Sequence, residues 1–223
     1  MKTSNKLLLS FVGLIVLLML LSDTVMWANY KRGRSGDGLL TDDDKNGKER
    51  KTPVSAFKVL KIEGISSDRL TVERDEKYQI YFWGEKDRKF DYSVQNDTMF
   101  IKMKDGDDFV LECPALQTVI LSEGNGVSLR NFNLPSLNIL AGKSCNVQLI
   151  DMKVNVLDVK GGEENEFEAA GKNSQVDSIY LQLGKSSVLR SYAVPYGHVS
   201  MAVDSLRELE LTGESLTSMK QIK

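Results

Sequence analysis

A short apolar triplet followed by a glycine occurs four times in the second half of the chain, about every 20 residues. A unit of that length is too small to bury its apolar side alone, so copies of it bury their apolar residues by stacking. The repeat therefore predicts a solenoid. The four copies consist of Leu116, Val119, Leu121 and Gly124; Leu134, Leu137, Ile139 and Gly142; Val154, Leu157, Val159 and Gly162; and Val176, Ile179, Leu181 and Gly184.

Apolar and polar residues alternate in short runs from Phe57 onward, and Gly, Asp, Asn and Ser separate the runs. Alternation with a period of two is typical of half-buried β-strands. A second apolar cluster follows each glycine at the same spacing, so stacked coils would place like residues on one another. We predict an all-β protein with a single parallel β-solenoid; a β-sandwich is the alternative. The second clusters are Val127 and Leu129, Val147 and Leu149, Phe167 and Ala169, and Val188, and a further coil would contain Leu206, Leu209, Leu211 and Leu216.

The longest apolar run, residues 7–21, lies near the amino terminus and follows Lys2 and Lys6. Its length approaches the ~20 residues that a membrane-spanning helix needs. The bulky Met26 does not suit a cleavage site before Ala28, and Trp27 would suit the membrane interface. We therefore predict one uncleaved transmembrane signal-anchor helix in residues 1–30. Secretion after signal-peptide cleavage is the alternative.

The next segment, residues 31–52, is rich in charged residues and glycine and has almost nothing to bury. Such a composition predicts a flexible linker. Residues 53–223 would then form the solenoid domain. A long domain that follows a short basic amino terminus usually crosses the membrane, so we expect this domain outside the cytoplasm.

Charge and composition exclude some classes of ligand and site. Lys and Arg number 29 and Asp and Glu number 31, a balance that argues against nucleic-acid binding, which needs a basic excess. Cys113 and Cys145 would lie on consecutive coils; a disulfide is geometrically open, and two separate thiols are the simpler interpretation. With a single histidine, His198, in an apparent Pro/Gly loop, no zinc site is expected. We predict no catalytic residue, cofactor or metal.

The folded part contains an ordered series of motifs: a strand ending in glycine, a short apolar strand, a turn followed by a strand, and coils with Pro, Leu and glycine turns. They lie at Gly64, at Leu70 and Val72, at Asn96–Ile101, at Pro114–Leu121 and at Pro135–Ile139. Over about residues 57–211 the series resembles the head GIN domain family of autotransporter adhesins. The resemblance implies a parallel β-solenoid of the bacterial cell envelope, and with the signal anchor it implies a single-pass inner-membrane protein.

Two kinds of residue could act on a ligand. The aromatic-rich stretch that includes Tyr81, Trp83 and Tyr92 would offer rings for stacking on sugars. Paired carboxylates would suit a polysaccharide lyase or hydrolase of β-helix type, which is the alternative function. We expect a non-enzymatic adhesin, binding or scaffold module whose partners are the membrane and an envelope protein or glycan. The candidate acids for the enzyme alternative are Glu163, Glu164, Glu166, Asp151 and Asp158.

Overall fold

The computed structural model describes residues 50–64, 69–82, 91–104 and 109–219. The predicted signal anchor lies outside these residues. Within them the protein is all-β except for one short helix, α1 (Glu214–Met219). The strands are β1 (Arg50–Pro53), β2 (Val59–Gly64), β3 (Arg69–Arg74), β4 (Gln79–Phe82), β5 (Tyr92–Gln95), β6 (Thr98–Met103), β7 (Phe109–Cys113), β8 (Thr118–Leu121), β9 (Gly126–Arg130), β10 (Asn133–Ala141), β11 (Asn146–Ile150), β12 (Lys153–Gly161), β13 (Glu166–Ala170), β14 (Gln175–Leu183), β15 (Ser187–Tyr192), β16 (Tyr196–Val203) and β17 (Leu206–Thr212).

The strands form two sheets with the apolar core between them. Sheet A has the order β1-β4-β7-β3-β9-β11-β13-β15-β17, and sheet B has the order β16-β14-β12-β10-β8-β2-β6-β5. Each coil contributes one strand to each sheet, and the strands of successive coils are parallel. The prediction of a mostly parallel β-solenoid is therefore confirmed. β1 begins at Arg50, three residues before the predicted start of the domain.

Five coils follow in chain order, from β8–β9 to β16–β17. Ile139 pairs with Val119 on one side and Val159 on the other, and Val159 pairs with Leu181. All four side chains are at most 2% exposed. Apolar residues therefore stack on apolar residues from coil to coil, and the pairings of Ile139 with Val159 and of Val159 with Leu181 are those that the repeat predicts.

At the amino-terminal end of the described region, the order of the coils in space differs from their order in the chain. The coil β2–β3 comes first in the sequence but lies between the coils β6–β7 and β8–β9. β4 then pairs antiparallel with β7, β1 with β4, and β5 with β6. The antiparallel strands β4 and β5 cover the free edges of β7 and β6, and so they cap this end of the solenoid.

The register corrects three details of the predicted repeat. Leu121 pairs with Ala141 rather than Ile139, so the first copy is displaced by two residues. Leu189 rather than Val188 pairs with the buried Phe167, because β15 contains one more residue before this position. Leu216 belongs to α1 and not to the last coil, which is formed by β16 and β17.

Three of the four repeated glycines, Gly142, Gly162 and Gly184, lie where consecutive turns pack backbone against backbone. A Cβ atom at Gly184 would lie 2.7 Å from the carbonyl oxygen of Gly162, and a Cβ atom at Gly162 would lie 3.0 Å from that of Gly142. Two residues later, Ser144 and Glu164 have φ near +55° and +60°, and each donates its N–H to the next coil. The glycines therefore permit close stacking, and the left-handed residues turn the chain.

Candidate functional site

The outward-facing side chains of sheet A bond to one another from coil to coil. Asn146 Nδ2 donates to Glu166 at 3.0 Å. In the neighbouring column Ser128 Oγ donates to Gln148 at 3.1 Å, and Gln148 donates to Glu168 at 3.0 Å. A ligand on this face would have to replace hydrogen bonds that the protein already makes.

Glu166, one of the candidate catalytic acids, lies in an ion-pair cluster on sheet A. Arg207 is 3.1 Å and Arg190 is 3.9 Å from its carboxylate. Arg190 also donates twice to Glu208, at 2.7 and 3.0 Å. These hydrogen bonds lower the pKa of the Glu208 carboxyl and raise that of Arg190. Both carboxylates of the cluster, Glu166 and Glu208, are therefore paired with arginine side chains.

The other candidate acids lie on different parts of the solenoid. Glu164, beside Glu163 in the turn after β12, is 3.6 Å from Lys143. Asp158 lies in β12, 3.4 Å from a lysine of the same strand. Asp151, in the turn after β11, accepts a backbone hydrogen bond of 3.1 Å. Glycoside hydrolysis needs two carboxyl groups about 5–9.5 Å apart across the bond that is cut, and the structure distributes these acids over sheet A, sheet B and two different turns.

The outer face of sheet B exposes large apolar side chains among polar ones such as Asp158 and Lys160. Phe100, Lys61, Ile120 and Leu140 form one row across β6, β2, β8 and β10. Adjacent strands lie about 4.8 Å apart, so the row is continuous. Leu140, Val156 and Tyr180 are 41%, 41% and 43% exposed. We call Phe100, Ile120, Leu140, Val156 and Tyr180 the sheet B platform.

A shallow depression of about 190 Å³ lies at the β5–β6 edge of the same sheet. It combines the Phe100 ring with two carboxylates, the Ser93 hydroxyl and an ammonium group, while the half-buried Tyr92 contributes to the lining and packs against the core. Lys61 Nζ lies 2.7 Å from the Glu63 carboxylate and 5.6 Å from the centre of the Phe100 ring, and so holds both next to the depression. We call this the edge depression; its lining includes Glu63, Asp91, Tyr92, Ser93, Phe100 and Lys102.

The structure separates the three residues of the predicted stacking patch. Tyr92 lines the edge depression and is half-buried, because it pairs with the inward-facing Ile101. Tyr81 lies in β4 of sheet A, with Lys51 Nζ 5.5 Å from its ring centre. Trp83 lies outside the described residues. Tyr81 and Tyr92 are therefore on different sheets, and ligand stacking on them stays a prediction.

Sequence reasoning missed Phe100, which belongs to both the platform and the depression. The signal was available: Met99, Ile101 and Met103 alternate as buried residues, and this alternation turns Phe100 to the outer face. What the sequence could not supply is the neighbour, because Ser93 reaches Phe100 only through the antiparallel pairing of β5 and β6.

Both cysteines are free thiols. Cys113 ends β7 and Cys145 precedes β11, and β3 and β9 lie between these strands in sheet A. The expectation of consecutive coils was wrong, because the coils β2–β3 and β8–β9 both lie between the coils that carry the two cysteines. Burial raises the pKa of Cys113 to about 12 and also raises that of Cys145. Cys145 Sγ donates to the carbonyl oxygen of Ser122 at 3.1 Å.

His198 was expected in a loop, but it lies in β16, in register with Ser178. Its ring centre is 6.0 Å from that of Tyr180. Among the described residues, no three His, Cys, Asp or Glu side chains converge as a metal site would require. The same residues contain no helix that is both long and apolar enough to cross a bilayer.

Comparison with known proteins gives no assignment for this chain. Neither a protein-family model nor a curated protein matches it. The resemblance to the head GIN domain family therefore stays an expectation from the sequence, and the functional argument depends on the two surfaces of sheet B.

Proposed function

We propose that this protein is a membrane-anchored, non-enzymatic binding module of the bacterial envelope, and that its ligand is a glycan bound at the edge depression and along the sheet B platform. The observation that carries the proposal is the contrast between the outer faces of the two sheets. Hydrogen bonds between side chains cross the outer face of sheet A, whereas the outer face of sheet B exposes Leu140, Val156 and Tyr180 and has the edge depression at one edge.

The composition of the edge depression suits a sugar ring. Sugars have an apolar face rimmed by hydroxyl groups, and aromatic side chains offer a flat apolar surface with defined geometry. Phe100 provides an outward-facing ring, while Glu63 and Asp91 provide acceptors and Ser93 a hydroxyl at the rim. A few polar groups around an apolar floor are typical of small-molecule sites.

The platform would extend the binding site beyond a single sugar. The row from Phe100 to Leu140 crosses four strands, which corresponds to about 14 Å at the usual strand spacing. Rigid parallel strands hold these side chains in place, so little conformational entropy is lost on binding. An elongated glycan matches such a surface better than an isolated monosaccharide.

The membrane and envelope part of the proposal depends on the sequence. The apolar run of residues 7–21, between basic residues, supports a single-pass anchor, and the charged, glycine-rich residues 31–49 support a spacer between anchor and solenoid. An anchored module would present its binding face at a distance from the bilayer.

The full chain in mild detergent can be screened on a glycan array, with titration calorimetry of any glycan that binds. Replacement of Phe100 with Ala removes ring area from both surfaces, and we expect affinity to fall about tenfold. Tyr81→Ala is the matched control, because it removes an aromatic ring from sheet A. It should leave affinity unchanged.

Two outcomes would contradict the proposal. Equal losses of affinity for Phe100→Ala and Tyr81→Ala would show that binding does not depend on the outer face of sheet B. Failure of every glycan on a broad array, together with capture of a protein that Phe100→Ala no longer binds, would assign the same surface to a protein ligand instead.

A further inference from the structure

Within residues 109–219, no strand follows β17, and the inward side of the last coil is only partly covered. Val199, Met201 and Leu209 pair in register with Ile179, Leu181 and Leu189, which are at most 2% exposed. In the last coil the same inward positions are half-buried at Val199 and Met201, and Leu209 is 52% exposed. The side chains that another coil would cover therefore face outward at this end.

Helix α1 covers only part of the end. Ser215 Oγ accepts a hydrogen bond from the N–H of Val194 at 2.8 Å, and Ser218 Oγ accepts one from Tyr196 at 3.0 Å. These bonds fix α1 over the start of β16. β17 pairs with β15 and with no second strand among the described residues. Its free side offers backbone N–H and C=O groups to a further strand.

The edge strands at the two ends of sheet A, β1 and β17, differ in length and composition. At the opposite end, β1 has four residues and carries Lys51 and Pro53, features that protect an edge from pairing. β17 has seven residues and no proline, and its inward positions carry Leu206, Leu209 and Leu211. A head-to-tail polymer would need both ends to accept strands, so this asymmetry favours a different partner.

Charges on the outer face of sheet A alternate in sign toward β17. Glu168 pairs in register with Arg190, and Arg190 pairs with Glu210. Arg190 also bonds to Glu208, whose side chain is 43% exposed. Glu210 accepts a hydrogen bond of 2.8 Å from the Tyr192 hydroxyl, so both carboxylates already have one partner on β15. Cations on the next strand would continue the alternation on their other side. An antiparallel second copy of β17 centred on Leu209 would instead place Glu208 opposite Glu210.

We propose that β17 is an acceptor for an extended segment of another protein, in which apolar side chains alternate with Lys or Arg. The apolar side chains would cover Leu206, Leu209 and Leu211, and the basic side chains would face Glu208 and Glu210. This is strand addition, in which backbone bonds supply affinity and alternate side chains supply specificity.

A blocked seven-residue peptide of alternating Val and Lys tests the proposal, with a Val and Glu peptide for comparison. We expect the full chain to bind the first peptide and not the second by calorimetry. The double variant E208K/E210K should weaken the first about tenfold and bind the second. E123K/E163K is the control with the same charge change on exposed turns, and it should bind as the wild type does.

Hydrogen exchange should show new protection in β17 when the basic peptide binds. The proposal fails if neither peptide binds, if E208K/E210K and E123K/E163K behave alike, or if protection appears elsewhere. It also fails if the protein dimerises with rising concentration and Leu209→Arg abolishes the dimer, because a second copy then occupies the end.

Discussion

The five sequential coils, β8 to β17, and the amino-terminal region, β1 to β7, are built from the same kind of strand but connected differently. In the sequential coils each strand pairs with strands one coil away along the chain. In the amino-terminal region β2 lies between β6 and β8, and antiparallel strands complete the sheets. Regular stacking extends a solenoid, whereas a break in chain order is how this one closes an end.

The difference shows that a visible repeat depends on neighbours in space being neighbours in the chain. A coil that follows its predecessor directly must match its length and register, so its glycines and apolar residues recur at a fixed spacing. β2 pairs with residues about 40 and 60 positions away. Its register is set by the tertiary fold, and no local spacing records it.

Replacement of a glycine should have the largest effect where it joins remote strands. Gly64 has φ +106°, and a Cβ atom there would lie 2.2 Å from the carbonyl oxygen of Met103. We expect Gly64→Ala to lower the free energy of unfolding by about 4 kcal/mol, from backbone strain and steric overlap together. Gly124 also has positive φ, +74°, but a Cβ atom there meets nothing within 4 Å. Gly124→Ala should cost about 1 kcal/mol, and urea denaturation measures both. Equal losses would contradict the assigned packing.

Truncation of a core residue in the inserted coil should destabilise more strands than truncation of a residue in the last coil. Ile62 is fully buried and pairs with Ile101 and Leu121 on either side. We expect Ile62→Ala to cost about 3 kcal/mol and to speed amide exchange in β2, β6 and β8 together. Leu209→Ala should cost less than about 1 kcal/mol and affect β16 and β17 alone. Global acceleration of exchange by Leu209→Ala would show that the last coil is not the independent end described here.

The two thiols should contribute unequally to alkaline stability. The pKa of Cys113 rises from an ordinary 9.0 to about 12 because of burial. Between these values the folded thiol keeps its proton and the unfolded one loses it, so stability falls with rising pH by up to about 1.4 kcal/mol per pH unit. Cys113→Val should remove this contribution in urea titrations from pH 8 to 11. Cys145→Ala should remove less, since backbone hydrogen bonds partly oppose the effect of burial there. A pH slope unchanged in Cys113→Val would exclude the thiol as its source.

The parts of the fold that sequence predicts are those governed by local repetition. The triplets of residues 134–184 lie in the predicted register, because Gly142, Gly162 and Gly184 mark positions where only a missing side chain allows close stacking. The displaced first copy, which consists of Leu116, Val119 and Leu121, lies next to the inserted coil, and its neighbour there is β2. α1 escaped prediction because six residues are too few for a helical period.

The candidate site was predictable only in part. The aromatic content of the segment around Tyr92 indicated ring surface, and alternation in β6 turns Phe100 outward. The edge depression also needs Glu63, which reaches it through the parallel pairing of β2 with β6. Such a site depends on which remote strands pair, and this information is absent from local pattern.

The position of β1 has a mechanical consequence. β1 directly follows the amino-terminal segment of residues 1–49, and within the described region it pairs with β4 alone, through four residue pairs. Tension between that segment and a load held on the solenoid would reach the single β1–β4 ladder before any coil. This ladder would separate first and release a few residues, while the stacked coils and the surfaces they carry kept their shape.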